Sequence, residues 1–336
     1  MYSQTKKIID TQLNHNYPGV SYAIFDQQKW CPHFAGYQQL IPTPELVTKH
    51  TIFDIASLTK VVCTTTVLLQ LLETNDIDLE KSIHFYLPDI KADSVTLRHL
   101  LTHTSMIQGF IPNRDSLSQP DLMTALKQLT PSPLIGKQVQ YSDTNFIWLG
   151  FLLEKLFQQD LFSIFQKQVL DPLEMTHSFF NLPPTSLPLV AATEQHSNRG
   201  VIKGEVHDPK AFVLKQHCGS AGLFSSLTDL MLFTNMLLKN GQSPSGKTFL
   251  KEKTIQLLTQ DHTPSRTLGR SLGWDLLRYE NRTFLYHTGY TGTFLLVDPF
   301  NQQSFIFLSN ALHPTNHRQA YLASRKLLLE TYLHEI

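Results

Sequence analysis

The sequence predicts a mixed α/β fold of the α+β kind: an antiparallel sheet flanked by N- and C-terminal helices, with a mainly helical insertion. Three observations predict it. Strand-like segments lie toward both ends of the chain, from Val20 to Gly36 and from Leu272 to Ser309. Between about 75 and 180 the apolar residues recur at helical spacing and strand patterning is scarce. Residues 3–15 and Ala320–Leu333 each read as an amphipathic helix. Sheet material on either side of a helical middle implies one discontinuous α/β domain, 1–75 plus 205–336, interrupted by a helical domain over 76–204.

Taken in order, the helix over 3–15 is broken by Pro18-Gly19. Val20–Asp26 and Lys29–Gly36 follow as two strands joined at the polar pair Gln27-Gln28. Residues 37–52 read as loop. Val61 to Glu73 is almost continuously apolar, with Cys63 inside it as core packing, and predicts a buried helix starting near Ser57. Asp76–Leu87 is polar with single apolar anchors. Thr96 is a good cap for a short helix, and 121–129, 143–158 and 160–170 are helical. Residues 181–210, rich in Pro, His and Asn, read as an extended irregular surface segment of the length that usually carries function. Ser226–Asn240 is a helix capped by Ser226 or Thr228 and closed by Asn240-Gly241, and Lys251–Gln260 is another. Leu272–Tyr279, Thr283–His287, Thr293–Asp298 and Ser304–Ser309 are strands whose short connections imply antiparallel hairpins.

Composition narrows the function. The 336 residues are 41% hydrophobic and carry 28 basic and 28 acidic side chains. This neutral balance points away from nucleic acid or an anionic membrane as partner. No apolar run approaches the roughly 20 residues that span a bilayer. The three cysteines form no disulfide framework, and no apolar segment follows Lys6-Lys7 as a secretory signal would require. A reduced, cytoplasmic setting is therefore expected.

The chemistry centres on Phe53-Asp-Ile-Ala-Ser57-Leu-Thr-Lys60. If a helix starts at Ser57, the i,i+3 spacing places Ser57 and Lys60 on one face. The serine oxygen then sits by the unpaired N–H groups of a helix start, which suit an oxyanion, and a desolvated Lys60 amine would serve as its base. Gln140-Tyr141-Ser142-Asp143 opens a helix and offers a tyrosine able to shuttle protons. Tyr286-His287-Thr288-Gly289-Tyr290 ends a strand, where the glycine allows close approach of a ligand and a His-Thr pair on an edge strand suits a carboxylate or amide. His99 and His103 have the i,i+4 spacing of a zinc pair. No glutamate adjoins the first and no third ligand is apparent, so no metal is expected.

Serine-Leu-Thr-Lys at 57–60, Tyr-Ser-Asp at 141–143 and His-Thr-Gly at 287–289, in this order, resemble the three active-site motifs of the serine β-lactamase and penicillin-binding-protein superfamily. The resemblance is to the class C β-lactamase-type branch, whose pattern is S-x-x-K, Y-x-N and K-T-G. Leu100–Ser105, Asp171–Met175, Ala221–Ser225 and Leu272-Gly-Trp274 extend it over about 20–310. It implies a β-lactamase/transpeptidase-like fold and a cofactor-free serine hydrolase working through an acyl-enzyme. Ser57 would be the nucleophile, with Lys60 and Tyr141 sharing acid and base duty. The backbone N–H groups of Ser57 and Tyr290 would form the oxyanion hole. Asp143, His287, Thr288 and Gly289 would face the substrate.

Two departures matter. His287 replaces a lysine and is only partly charged near neutral pH. Asp143 replaces an asparagine and would tend to keep Lys60 protonated, leaving more of the base role to Tyr141. Both argue against an efficient β-lactamase. Gly204-Glu-Val-His207-Asp208 with Gly219–Phe224 further resembles cytoplasmic muropeptide amidases of cell-wall recycling, in which a histidine stands in place of Ser220, and would put His207 and Asp208 at the cleft. The expected substrates are cell-wall-derived peptides or muropeptides, or other D-amino-acid peptides or esters. The alternatives are an esterase, a D,D-carboxypeptidase, or a sensor that acylates with little turnover; β-lactams are expected covalent ligands.

Overall fold

In the computed structural model, which describes residues 2–108 and 111–336, seven antiparallel strands form the central sheet. They are β1 (Gly19–Asp26), β2 (Lys29–Gln39), β3 (Glu45–Leu46), β4 (Asp275–Tyr279), β5 (Arg282–Gly289), β6 (Thr293–Asp298) and β7 (Gln303–Ser309), in the spatial order β4-β5-β6-β7-β1-β2-β3. The run β4 to β7 is the hairpin series expected from its short connections. Joining the two ends of the chain is a tertiary event: β1 lies against β7, with Val20 opposite Ser309 and Phe25 opposite Ser304. Strand β5 lies between β4 and β6, so the expected edge position of His287-Thr288 is corrected. The edge strand on this side is β4, whose apolar content is no lower than that of β5; local pattern does not distinguish them.

Period-two alternation sends side chains to two cores. Val20, Tyr22, Ile24, Phe294, Leu296, Phe305 and Phe307 pack with Ile9 of α1 (Ser3–Gln12) and Tyr321, Leu328 and Tyr332 of the C-terminal helix Arg318–His334. Their neighbours Ala23, Phe25, Leu295, Val297, Ile306 and Leu308 face the larger core. That core includes α2 (Thr66–Thr74), α3 (Asp143–Phe157) and α4 (Leu227–Leu238). Each large apolar side chain fully buried here contributes roughly 1.5–3 kcal/mol relative to exposure.

The helix after Ser57 forms as expected, with a difference in winding. Residues 60–65 are wound as a π-helix, and regular α2 begins only at Thr66. Thr64 donates from Oγ1 to the Gly219 carbonyl (2.6 Å), tying this segment to the chain that crosses it. Such wide turns are frequent at functional sites. The loop assigned to 37–52 contains β3 and leads into a further strand, Ile52–Asp54, which pairs with Phe224–Ser226. The segment 181–210 is more ordered than its composition suggests. It holds a 3₁₀ turn (Pro184–Leu189), a two-strand ribbon (Gln195–His196 with Gly200–Val201) and the start of a helix, Pro209–Leu214. These pieces are too short to show periodicity. Among the described residues no helix is long and apolar enough to cross a membrane.

Candidate active site

The site begins with a turn that local sequence alone would not dictate. Buried Asp54 accepts hydrogen bonds from the N–H groups of Ala56 (Oδ1, 2.8 Å) and His207 (Oδ2, 2.8 Å). Ala56, between Asp54 and Ser57, adopts φ +47°, a left-handed conformation that costs a non-glycine residue about 1–3 kcal/mol. Thr59 Oγ1 donates to the Ala56 carbonyl (2.7 Å) and accepts from Leu223 N–H (3.2 Å), which over-determines the strained turn. The turn leaves Ser57 at the cleft wall while Leu58 and Lys60 point inward, both fully buried.

Lys60 Nζ donates to three acceptors: Ser57 Oγ (2.9 Å), Asp143 Oδ1 (2.8 Å) and the Ser220 carbonyl (2.8 Å). An ammonium has three donors, and these acceptors use all of them. Burial would lower the Lys60 pKa, but the charge of Asp143 and its hydrogen bond outweigh it, with Tyr141 nearby adding to the effect, and the amine is held above its ordinary range. Of the two opposed expectations, that desolvation frees the amine and that Asp143 keeps it protonated, this direction agrees with the second. For Asp143, burial works toward a higher pKa, but Lys60 and then Lys210 overcome it and keep the carboxyl well below its usual range. Lys210 Nζ lies 2.8 Å from Asp143 Oδ2 and 3.7 Å from Asp208 Oδ2. It is placed there by the short helix Pro209–Leu214, which Asp208 caps by accepting from Ala211 N–H. Lys210 was not singled out in the sequence. Its available signal is Asp143 itself, a carboxylate in an asparagine position that calls for an added cation.

Tyr141 is half exposed, its ring 5.2 Å from the Lys60 ammonium. Behind it His103 stacks at 4.4 Å between ring centroids. His103 Nδ1 accepts from Ser142 N–H (3.2 Å) and from the Asn145 amide (3.0 Å), which fixes the proton on Nε2. Asn145 is in turn held by Ser105 Oγ (2.6 Å). Burial keeps the His103 ring well below its ordinary pKa, so it is a neutral backing for Tyr141. His99 is turned to another task, its Nδ1 closing a capping box with Thr96.

The third predicted motif is only partly in the cleft. Gly289 presses against the turn that leads into Ser57: a Cβ there would lie 2.5 Å from the Ile55 carbonyl oxygen and 2.1 Å from Thr293 Oγ1. Thr288 is half-buried. His287 is only 2% exposed, in contact range of the rings of Tyr141 (6.2 Å) and Trp274 (6.5 Å). Burial holds it well below its ordinary pKa, so the expected partly charged histidine lining the carboxylate side is replaced by an enclosed, neutral one. Tyr290 is exposed. Its carbonyl accepts from Arg318 (2.7 Å), and its ring stacks with the imidazole of His207 (5.7 Å). His207 shares a 2.6 Å hydrogen bond with Glu194. Ser57, Asp143, Lys210, His207, Glu194 and Tyr290 open onto one cleft of about 640 Å³.

A sequence model of the β-lactamase family matches residues 5–329. The chain belongs to the β-lactamase family. Membership makes it a serine hydrolase. Its curated relatives include a protein of Salmonella agona (strain SL483) named "Putative D-alanyl-D-alanine carboxypeptidase", 28% identical over 91% of this chain and 81% of that one. A protein of the same name from Salmonella enteritidis PT4 is 27% identical over the same shares. Among solved structures, a mutant class C β-lactamase has a TM-score of 0.78 at 18% identity, covering 99% of this chain and 98% of that one. A class C β-lactamase in complex with cefoxitin gives the same TM-score and identity over 99% of each. These neighbours share the seven-stranded sheet-and-helix fold of this family member.

Proposed function

We propose that this protein hydrolyses amide bonds in cell-wall-derived peptides through an acyl-enzyme on Ser57, with D-alanyl peptides and muropeptides as its substrate class. The observation that carries the reading is the Lys60 ammonium 2.9 Å from a serine oxygen that faces a 640 Å³ cleft. The cleft wall is polar and charged, which suits a peptide better than a simple apolar ester. The carboxypeptidase name of the Salmonella relatives supports the same class.

Because Lys60 is held protonated, Tyr141 acts as the base. Its oxygen, with the Lys60 ammonium 5.2 Å from the ring, takes the Ser57 proton as Oγ bonds to the substrate carbonyl carbon. The carbonyl electron pair moves onto oxygen, held by the N–H groups of Ser57 and Tyr290. Collapse breaks the C–N bond, and Tyr141 returns the proton to the departing amine. Water then repeats the sequence on the acyl-enzyme and frees Ser57. We place the enzyme in the cytoplasm, a reading supported by three cysteines, Cys31, Cys63 and Cys218, that are all free thiols.

The test is incubation with a muropeptide mixture and D-alanyl-D-alanine peptides, with products and adducts read by mass spectrometry. Released product with a transient adduct on Ser57 is the expected result. A Ser57→Ala variant that cleaves at the native rate overturns the reading, and a permanent adduct without product makes the protein an acylated sensor instead.

A further inference from the structure

We propose that Lys210 is a positioning residue of the Ser57 site: it takes half of the Asp143 carboxylate and so cancels the charge that an aspartate brings to an asparagine position. The inference rests on the acyl-enzyme reading above and deepens it. Three distances carry it. Asp143 lies between two ammonium groups, with Oδ1 2.8 Å from Lys60 and Oδ2 2.8 Å from Lys210. Lys210 reaches a second carboxylate, Asp208, at 3.7 Å. Lys60, Asp143, Lys210 and Asp208 are therefore a charge-neutral quartet, two cations and two anions, against the wall that holds Ser57.

The consequence is electrostatic and structural at once. A lone aspartate beside Lys60 would depress the positive potential at Ser57 and Tyr141, and its second oxygen would be free to turn into the cleft. Lys210 prevents both. It is itself only 14% exposed, so its charge is not lost to solvent screening. Lys210 faces Asp143, Asp208 and Arg114. The base Tyr141 faces Lys60, His103, His287 and Arg270. His103 and His287 are held neutral by burial, and Arg270 keeps its charge through its ion pair with Asp275.

The experiment is the rate of Ser57 labelling by a fluorophosphonate probe as a function of pH, in the full chain. Lys210→Met removes one of the two cations held by Asp143 and moves the acidic limb of the profile up by about one pH unit, the size expected for one charge removed from a partly enclosed site. Asp143→Asn leaves two cations and moves the limb down by a similar amount. The double variant returns the limb to near its native position, and Lys210→Arg leaves it there. Lys210→Gln replaces the methionine variant if that one does not fold. Shifts of the same sign in the two single variants, or no return in the double, overturn the assignment, because a merely structural clip lowers amplitude without moving the limb. Absence of labelling at Ser57 in the native protein overturns the acyl-enzyme reading itself, and this inference with it.

Discussion

Replacing Lys60 by methionine separates the stability of the site from its chemistry. Methionine has nearly the same length and fills the same buried space, so no large cavity opens. What disappears is one charge and three hydrogen bonds, to Ser57 Oγ, Asp143 Oδ1 and the Ser220 carbonyl. Asp143 is not left bare, since Lys210 still holds its second oxygen at 2.8 Å. The stability loss is therefore below that of an orphaned buried charge and amounts to about 1–3 kcal/mol. For 336 residues an unfolding entropy of about 2 cal/mol/K per residue converts this to a fall in Tm of about 1–4 °C. The kinetic loss is larger. Removing one preorganised donor from a developing charge costs about 10²–10³ in rate. Thermal unfolding and the second-order rate of Ser57 labelling, measured on the same preparation, check both numbers. A folded Lys60→Met protein that is labelled within about threefold of the native rate refutes the assigned role of Lys60.

Three further outcomes follow from the geometry. His103→Ala removes the acceptor for Ser142 and Asn145 and the ring behind Tyr141. Labelling should slow by about 10–100-fold with a stability loss of about 1–3 kcal/mol, and His103→Asn, which tolerates the φ of +54°, should recover stability more than rate; stopped-flow labelling and thermal unfolding distinguish them. Gly289→Ala forces strand β5 away from the Ile55 carbonyl, because its Cβ would sit 2.5 Å from that oxygen. kcat/KM on the best peptide substrate should drop by at least about tenfold, and an unchanged value would show that the strand can retreat without cost. Finally, Asp143 has a depressed folded pKa, so its contribution to stability is present above its unfolded value and is lost as pH falls through the folded one. The Tm gap between native protein and Asp143→Asn should therefore narrow from pH 7 to pH 3, and a gap that widens on acidification would reverse the sign of the argument.

Much of this enzyme was legible in its sequence because the relevant physics is local. Short strand-like apolar runs bounded by turn residues marked Val20–Asp26, Thr293–Asp298 and Ser304–Ser309, and the strands found are Gly19–Asp26, Thr293–Asp298 and Gln303–Ser309. The helical face of 143–158 and the capping role of Thr96 were set by residues three and four apart. The i,i+3 spacing of Ser57 and Lys60 likewise placed the amine within reach of the hydroxyl, whatever the rest of the chain did.

What only the tertiary structure decided concerns groups far apart in sequence. The state of Lys60 depends on Asp143, 83 residues away, and the state of Asp143 depends on Lys210. Desolvation alone would favour a neutral amine; the motif already offered Asp143 as the opposing charge, and the packed chain sets it 2.8 Å from Lys60 with Lys210 on its other oxygen. His287 looked like a cleft residue because its neighbours Thr288 and Gly289 sit at a strand end, but β4 and β6 on either side and Trp274 with Tyr141 against it enclose the ring. Pairing of β1 with β7 joined residues nearly three hundred positions apart. Local spacing fixes which side chains can meet within one turn, whereas charge state and burial are properties of the field and solvent exclusion that the whole packed chain creates.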